Sequence, residues 1–309
     1  MFGRRETVAM SIINFIDNYR RDVQFYSKWI FNKDLRNEMS KNKALKDSHK
    51  GKRCFIVGNG PSLKHYDLSK LSDEYVFTVN NMMSTDSFKI LKPNFHLFFD
   101  PEFFNFFFHL HPKNDEEKSK MNLIRTSLEL YPKMICFSSY RLKSTSAKLF
   151  PKLNAHYLFN NKIFSPNLKK SATLNRNTPA FQNVILYALN IAIYMGFDEI
   201  YLLGVDMTGF LEHYEFNKRN EKWGHFYVKS QEDQEKEIKF LTEKNIDNEF
   251  YLKTFGKTLE HLKLMLVNAN KNNVKLLNAS EHGAIDCIPR TDYNQLFTST
   301  NAESKTYLQ

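Results

Sequence analysis

The chain has 309 residues, 42% of them hydrophobic with only 10 Gly and 9 Pro, so it can bury a sizeable core and does not have the composition of a disordered segment. Its three cysteines, Cys54, Cys136 and Cys287, are odd in number and widely spaced, which suits a reducing compartment and supports neither a disulfide framework nor a zinc site. The net charge of +10 implies anionic partners; Met1 to Arg53 hold thirteen Lys or Arg against six Asp or Glu, so +7 of it lies there. Within that segment Ile12, Ile16, Tyr19, Val23, Tyr26 and Ile30 recur at alternating steps of four and three, which predicts a long amphipathic helix. Asn14, Asp17 and Asn18 interrupt the apolar run, so the helix is no membrane span, and a signal-peptide cleavage site is lacking. Two roles stay open for the stripe: packing on the core or a subunit partner, or lying on anionic lipid. Residues 32–50 are polar and Lys-rich and read as a linker or short helix.

Cys54 to Val57 has the length and β-rich character of a buried strand, Gly58-Asn59-Gly60 demands a tight turn, and Pro61 and Ser62 open a helix. That order predicts unpaired N–H groups and a positive helix end facing outward, a ready site for phosphate. Gly-x-x-x-x-Gly-Lys-Ser/Thr is missing and Leu63 stands where the dinucleotide fingerprint has its third glycine, which argues against a P-loop kinase or an ordinary dehydrogenase.

The run Ile56 to Lys64, followed by Asp67 and Ser69-Lys70-Leu71, resembles the opening motif of the bacterial lipo-oligosaccharide sialyltransferases, glycosyltransferase family 42. The motif is shared with the motility-accessory-factor and MptE-like proteins. The resemblance implies a nucleotide site on Gly58, Asn59, Gly60, Pro61 and Ser62, and a cytidine contact from Asn80, which ends the second strand, Tyr75 to Val79. A third strand, Phe95 to Phe99, ends at Asp100, where the family usually has asparagine near the nucleotide; Asp100 is equally placed to cap a helix. His109-x-His111 has no acids or thiols beside it, so no metal site is expected. Met134 to Ser138 reads as another strand, and residues 141–177, rich in Lys, Ser and Asn, as a lid or acceptor loop, or a plain surface loop.

Thr178 caps and Pro179 starts a helix that runs to Gly196, and Glu199 to Asp206 is a buried strand ending in an acid, the alternation of a parallel sheet. The resemblance makes Arg176 and Thr178 substrate contacts and adds Asp206 to the nucleotide site. Residues 207–229 form a second loop, where Tyr214-x-Phe216 resembles the family's Tyr-x-Phe, whose tyrosine hydrogen-bonds the leaving phosphate. The second phosphate tyrosine of the family falls near Thr208, a departure. His225 is the candidate general base, with His213 and Lys229 as alternates, ahead of a helix over 230–244. A helix over 250–267, a strand over 274–277 and a loop carrying Ser280, His282 and Arg290 follow, this last part looking closer to the MptE-like group.

The expectation is an α/β, Rossmann-like, mostly parallel doubly wound sheet, with a basic helical arm over 1–50, a catalytic domain over 51–297 and a polar tail over 298–309. The function the resemblance implies is an inverting, metal-independent glycosyltransferase. It would move sialic acid or a related nonulosonic acid from a CMP-activated donor to a sugar hydroxyl of a bacterial surface glycan, with no cofactor beyond that donor. A cytoplasmic enzyme peripheral to the inner membrane through its arm, with no nucleic-acid partner, is expected; self-association is left open. The alternatives are an MptE-like diphosphokinase, a motility-accessory flagellin glycosyltransferase, or a non-catalytic nucleotide-binding assembly factor at the membrane.

Overall fold

The computed structural model describes residues 4–99, 115–164, 173–208, 243 and 247–298. The apolar runs fold as strands β1 (Arg53–Val57), β2 (Tyr75–Val79), β3 (Phe95–Phe98) and β4 (Ile135–Ser139), each burying its last four residues or all of them. Burial of successive residues on both faces is what an interior parallel strand requires. On β1, Cys54 and Ile56 pack into one apolar layer and Phe55 and Val57 into the other. Helices complete both layers, among them α3 (Asp86–Leu91) after β2 and α4 (Asp115–Leu130) after β3.

Two later segments differ from the sequence expectation. Residues expected as a lid instead form α5 (Lys143–Leu149), β5 (Ala155–Leu158) and β6 (Asn160–Lys162). Thr178 does not cap a helix: Thr178–Pro179 is a short strand, β7, parallel to β6, with the Thr178 N–H donating to Phe159 O at 2.8 Å. The helix starts one turn later as α6 (Val184–Met195), capped by the Asn183 side chain on the Ile185 N–H and closed by Gly196 at φ 80°. Ile185 to Met195 are all buried, so α6 lies between layers and carries no solvent stripe.

β8 (Glu199–Leu203), α7 (Asn248–Lys271) and β9 (Lys275–Asn278) finish the fold. The main sheet runs β5-β4-β3-β2-β1-β8-β9 with every pairing parallel, which is the expected Rossmann-like architecture. The chain steps outward from β1 to β5, then returns to lay β8 on the other side of β1. The order therefore reverses between β1 and β8, where such sheets hold ligands beyond the carboxyl ends of the strands.

The arm is α1 (Arg4–Phe31) and α2 (Lys33–Lys41), followed by a 3₁₀ turn at Asn42–Leu45. Asn42 is fully buried: its amide donates to Tyr157 O and Leu174 O at 2.8 and 2.9 Å, while Lys41 Nζ donates to Ala155 O at 2.6 Å. The arm thereby occupies carbonyls of the outermost strand, β5, that an open edge would expose. α1 does not pack through its apolar stripe. It is held by Asn18 on both the N–H and the O of Ile163, by Arg21 on Asn161 O, by an Asp22–Lys162 ion pair at 2.7 Å and by Phe25 against Phe159. Among the described residues no helix is long and apolar enough to cross a membrane.

Gly256 lies in the interior of α7 with nothing within 4 Å of where a Cβ would stand. Gly256→Ala should stabilise the protein by about 0.5–1 kcal/mol, because glycine loses more backbone entropy in a helix than alanine. The midpoint of a urea melt checks this.

Candidate functional site

The turn after β1 lies against the extension of β8. Gly58 N–H donates to Leu203 O and Gly60 N–H to Gly204 O, both at 2.8 Å, and Ser62 N–H donates to Asp206 Oδ2 at 2.7 Å. These donors are therefore not free for phosphate, as the sequence reading had them, and Pro61–His65 is a 3₁₀ turn of five residues. The glycines serve close packing instead. A Cβ on Gly58 would stand 2.4 Å from Gly204 O, and one on Gly60 2.5 Å from the Asp206 carboxylate. Gly204, at φ 63° just past β8, leaves room for Leu63 in the same way: a Cβ there would stand 2.4 Å from Leu63 Cγ.

Asp206 is 3% exposed and accepts from the Ser62 hydroxyl at 2.6 Å as well as from the Ser62 N–H. Burial pushes its carboxyl above the usual range, opposed by the Ser62 hydrogen bonds and by the nearby charges of His282 and Arg290. With both oxygens engaged, Asp206 ties β8 to the turn. The loop after β9 closes over it: Ala284 N–H donates to Asp206 O at 2.7 Å, and Gly283, at φ 115°, approaches the Asp206 backbone where a Cβ would be 2.8 Å from its Cα. Arg290 braces that loop by donating to the carbonyls of Ser280, His282, Gly283 and Ile285. Its guanidinium is thus occupied by the backbone of its own loop.

The side chains left with polar capacity are amides and a hydroxyl. Asn59 Nδ2 donates to Val79 O at 3.3 Å, joining the β1 turn to the end of β2, while its Oδ1 is buried without a partner. Asn80, held at φ 46°, buries an unpartnered Oδ1 at the end of β2. Across β1, at the end of β9, Asn278 Nδ2 and Ser280 Oγ are buried and unpartnered too. An orphaned buried polar atom costs about 1–3 kcal/mol, and four of the seven such side-chain atoms among the described residues gather at the carboxyl ends of β1, β2 and β9, which makes these strand ends the candidate site for a polar ligand. Asn59 and Asn80 are legible as candidates in the sequence, and the signal for Asn278 is the same one, an amide ending an apolar run, here Leu276-Leu277.

The sequence profile of the 6-hydroxymethylpterin diphosphokinase MptE-like proteins matches residues 31–209, more than half of the chain. The chain belongs to the MptE-like family. Of the groups sharing the opening motif, this is the one the sequence reading placed second. Gly58 to Ser62, Asn80, Arg176, Thr178 and Asp206 fall within the matched stretch. Among solved structures, the chain is similar to the sialyltransferase CstII of Campylobacter jejuni in complex with CMP-3FNeuAc, at 16% identity and a TM-score of 0.39, covering 77% of this chain and 85% of that one. CstII in complex with cytidine-5'-monophosphate gives 18% identity and a TM-score of 0.36, covering 77% of this chain and 84% of the other. No curated protein matches the chain.

In this MptE-like chain the remaining predicted residues separate. Thr178 is buried and spends its hydroxyl on Phe159 O at 3.2 Å, so it is not positioned to hold a substrate. Arg176 is exposed. Asn183 Nδ2 reaches Met207 Sδ at 3.6 Å, which sets the amino end of α6 beside the loop after β8. Asp100, Tyr214 and His225, with the alternates His213 and Lys229, lie outside the described residues.

Proposed function

We propose that this protein is a transferase that holds a cytidine nucleotide at the carboxyl ends of β1, β2 and β9 and moves an activated sugar acid to a sugar hydroxyl. The observation that carries the reading is the pair of buried, unpartnered amide oxygens on Asn59 and Asn80 at neighbouring strand ends. They accept from the exocyclic amine of a pyrimidine or from ribose hydroxyls, and neither is a phosphate ligand. The donor is a CMP-activated nonulosonic acid and the acceptor a bacterial surface glycan. The reaction needs a base for the acceptor hydroxyl, assigned to His225, and a donor to the departing phosphate, assigned to Tyr214. No further cofactor takes part. The donor places the work on the cytoplasmic side of the inner membrane.

The family match favours a second reading, a diphosphokinase acting on a hydroxymethylpterin with a nucleoside triphosphate as donor. One experiment separates the two. The full chain is incubated with CMP-activated sialic acid and a lactose-terminated acceptor, and in parallel with ATP and 6-hydroxymethylpterin. Release of CMP in the first arm, lowered at least about a hundredfold by His225→Ala, supports the transferase. Nucleoside monophosphate released only in the second arm assigns the diphosphokinase.

A further inference from the structure

Among the described residues, the outer face of α1 carries the longest run of exposed large apolar side chains. Ile12, Ile16, Tyr19, Val23, Tyr26 and Ile30 are 56, 52, 67, 52, 43 and 58% exposed. The helix cannot turn this face inward, because Asn18, Arg21, Asp22 and Phe25 fix the opposite side to the body. We propose that this face pairs with the same face of a second copy of the chain, as a short antiparallel two-helix coiled coil.

The spacing is that of a coiled-coil seam: strict steps of four and three keep one narrow line of apolar residues facing a partner helix through more than two heptads. Ile16, Val23 and Ile30 then take one core position, and Ile12, Tyr19 and Tyr26 the other. Side-chain size chooses the direction. In a parallel pair Tyr19 and Tyr26 would each meet their own copies, putting two rings in one layer. With the two-fold axis through residue 21, Tyr19 meets Val23, Tyr26 meets Ile16 and Ile12 meets Ile30, so each ring faces a smaller branched side chain. The same patch on both copies also gives a closed, isologous dimer.

Charge and area favour a second copy over a bilayer. α1 carries five Lys or Arg (Arg4, Arg5, Arg20, Arg21, Lys28) against three acids (Glu6, Asp17, Asp22), so only +2 of the arm's +7 lies on it. Arg21 is engaged with Asn161 O, and Arg20 lies 3.7 Å from Asp17. A helix lying on anionic lipid has instead a polar face rich in Lys and Arg. The six side chains offer roughly 600 Å² per chain, about 1,200 Å² for a pair, which reaches the lower bound of specific interfaces. Ile13, Phe15 and Phe31, 54, 69 and 89% exposed, add to this at the margins.

The test is the mass of the full chain in solution. Light scattering at about 50 μM is expected to give twice the 36.6 kDa of one chain. Val23→Lys, at an exposed seam position, should return the mass to one chain with an unchanged thermal melt. In a Cys287→Ser background, Tyr19→Cys combined with Val23→Cys should form an intermolecular disulfide under mild oxidation faster than Val23→Cys alone. A monomeric wild type, or a dimer that Val23→Lys does not dissociate, overturns the proposal. Faster cross-linking by the single cysteine overturns the antiparallel arrangement. Co-sedimentation of the wild type with phosphatidylglycerol vesicles, lost in Val23→Lys, assigns the face to lipid and also overturns the proposal. None of these outcomes depends on the catalytic reading.

Discussion

Gly58→Ala is expected to destabilise the protein by about 3–5 kcal/mol, enough to remove most of the stability of an ordinary domain. The added Cβ would stand 2.4 Å from Gly204 O, which is backbone of a central strand's extension and cannot swing aside like a side chain. Relieving the overlap separates the turn from β8 and breaks the Gly58–Leu203 and Gly60–Gly204 hydrogen bonds, each worth about 1 kcal/mol net. Gly60→Val is expected to damage the fold as well, because its Cβ would meet the Asp206 carboxylate at 2.5 Å. Urea denaturation checks both, with Gly256→Ala as a comparison of opposite sign. A Gly58→Ala protein within 1 kcal/mol of wild type would show that the packing of the turn on β8 is looser than described.

Acid is expected to unfold the protein in a range where most α/β domains are still stable. Three buried imidazoles are responsible. His96 on β3 is fully buried, with Nδ1 2.7 Å from Thr78 Oγ1, and burial pulls its pKa down to about 3. His156 on β5 shares a 2.9 Å hydrogen bond with Asn42 Oδ1 and is lowered to about 4 by burial and by the charge of Lys41. His261 on α7 lies edge-on to Phe164 and is lowered to about 4 by burial and by Lys257. Because the folded values lie below the unfolded value near 6.5, the neutral forms are the ones the fold favours. Their contribution is complete above about pH 6.5 and is lost as pH falls towards 4 and then 3. Within that window each histidine removes about 1.4 kcal/mol per pH unit. Asp206, raised by burial, acts in the opposite sense, since its protonation at low pH favours the folded state. The melting temperature should therefore fall steadily below pH 6.5, and His156→Gln, which keeps a donor for Asn42, should shallow the slope by about one proton. A melting temperature unchanged between pH 7 and pH 5 would contradict this.

The sheet was legible because parallel strands advertise themselves: Cys54 to Val57, Tyr75 to Val79 with Thr78 as its one polar residue, and Ile200 to Leu203 are apolar runs, each followed directly by glycine or asparagine. β5 was not, because Ala155-His156-Tyr157-Leu158 sits among Lys, Ser and Asn, and its histidine makes sense only beside Asn42, 114 residues earlier. At Thr178-Pro179 the local signals for a helix start were sound, yet pairing with β6 prevailed and Asn183 took the capping role. The same limit applied at the site. Two glycines and a proline do describe a tight turn, but what the turn touches is decided by Gly204 and Asp206, far away in sequence. The amphipathic period of α1 was read correctly, while which face meets the body was set by Asn18 and Phe25, residues off the stripe.

The central claim is that the strand ends bearing Asn59 and Asn80 bind a cytidine nucleotide. Calorimetric titration of the full chain with cytidine monophosphate tests it most directly, beside the same titration of Asn80→Gly, which removes the amide while accepting the backbone angle of 46° without strain. Saturable binding at one site per chain is predicted, weakened about tenfold in Asn80→Gly, the 1.4 kcal/mol of one lost hydrogen bond, with the melting temperature changed little. Absence of binding by the folded wild-type protein at millimolar cytidine monophosphate, or binding that Asn80→Gly leaves unchanged, would contradict the claim.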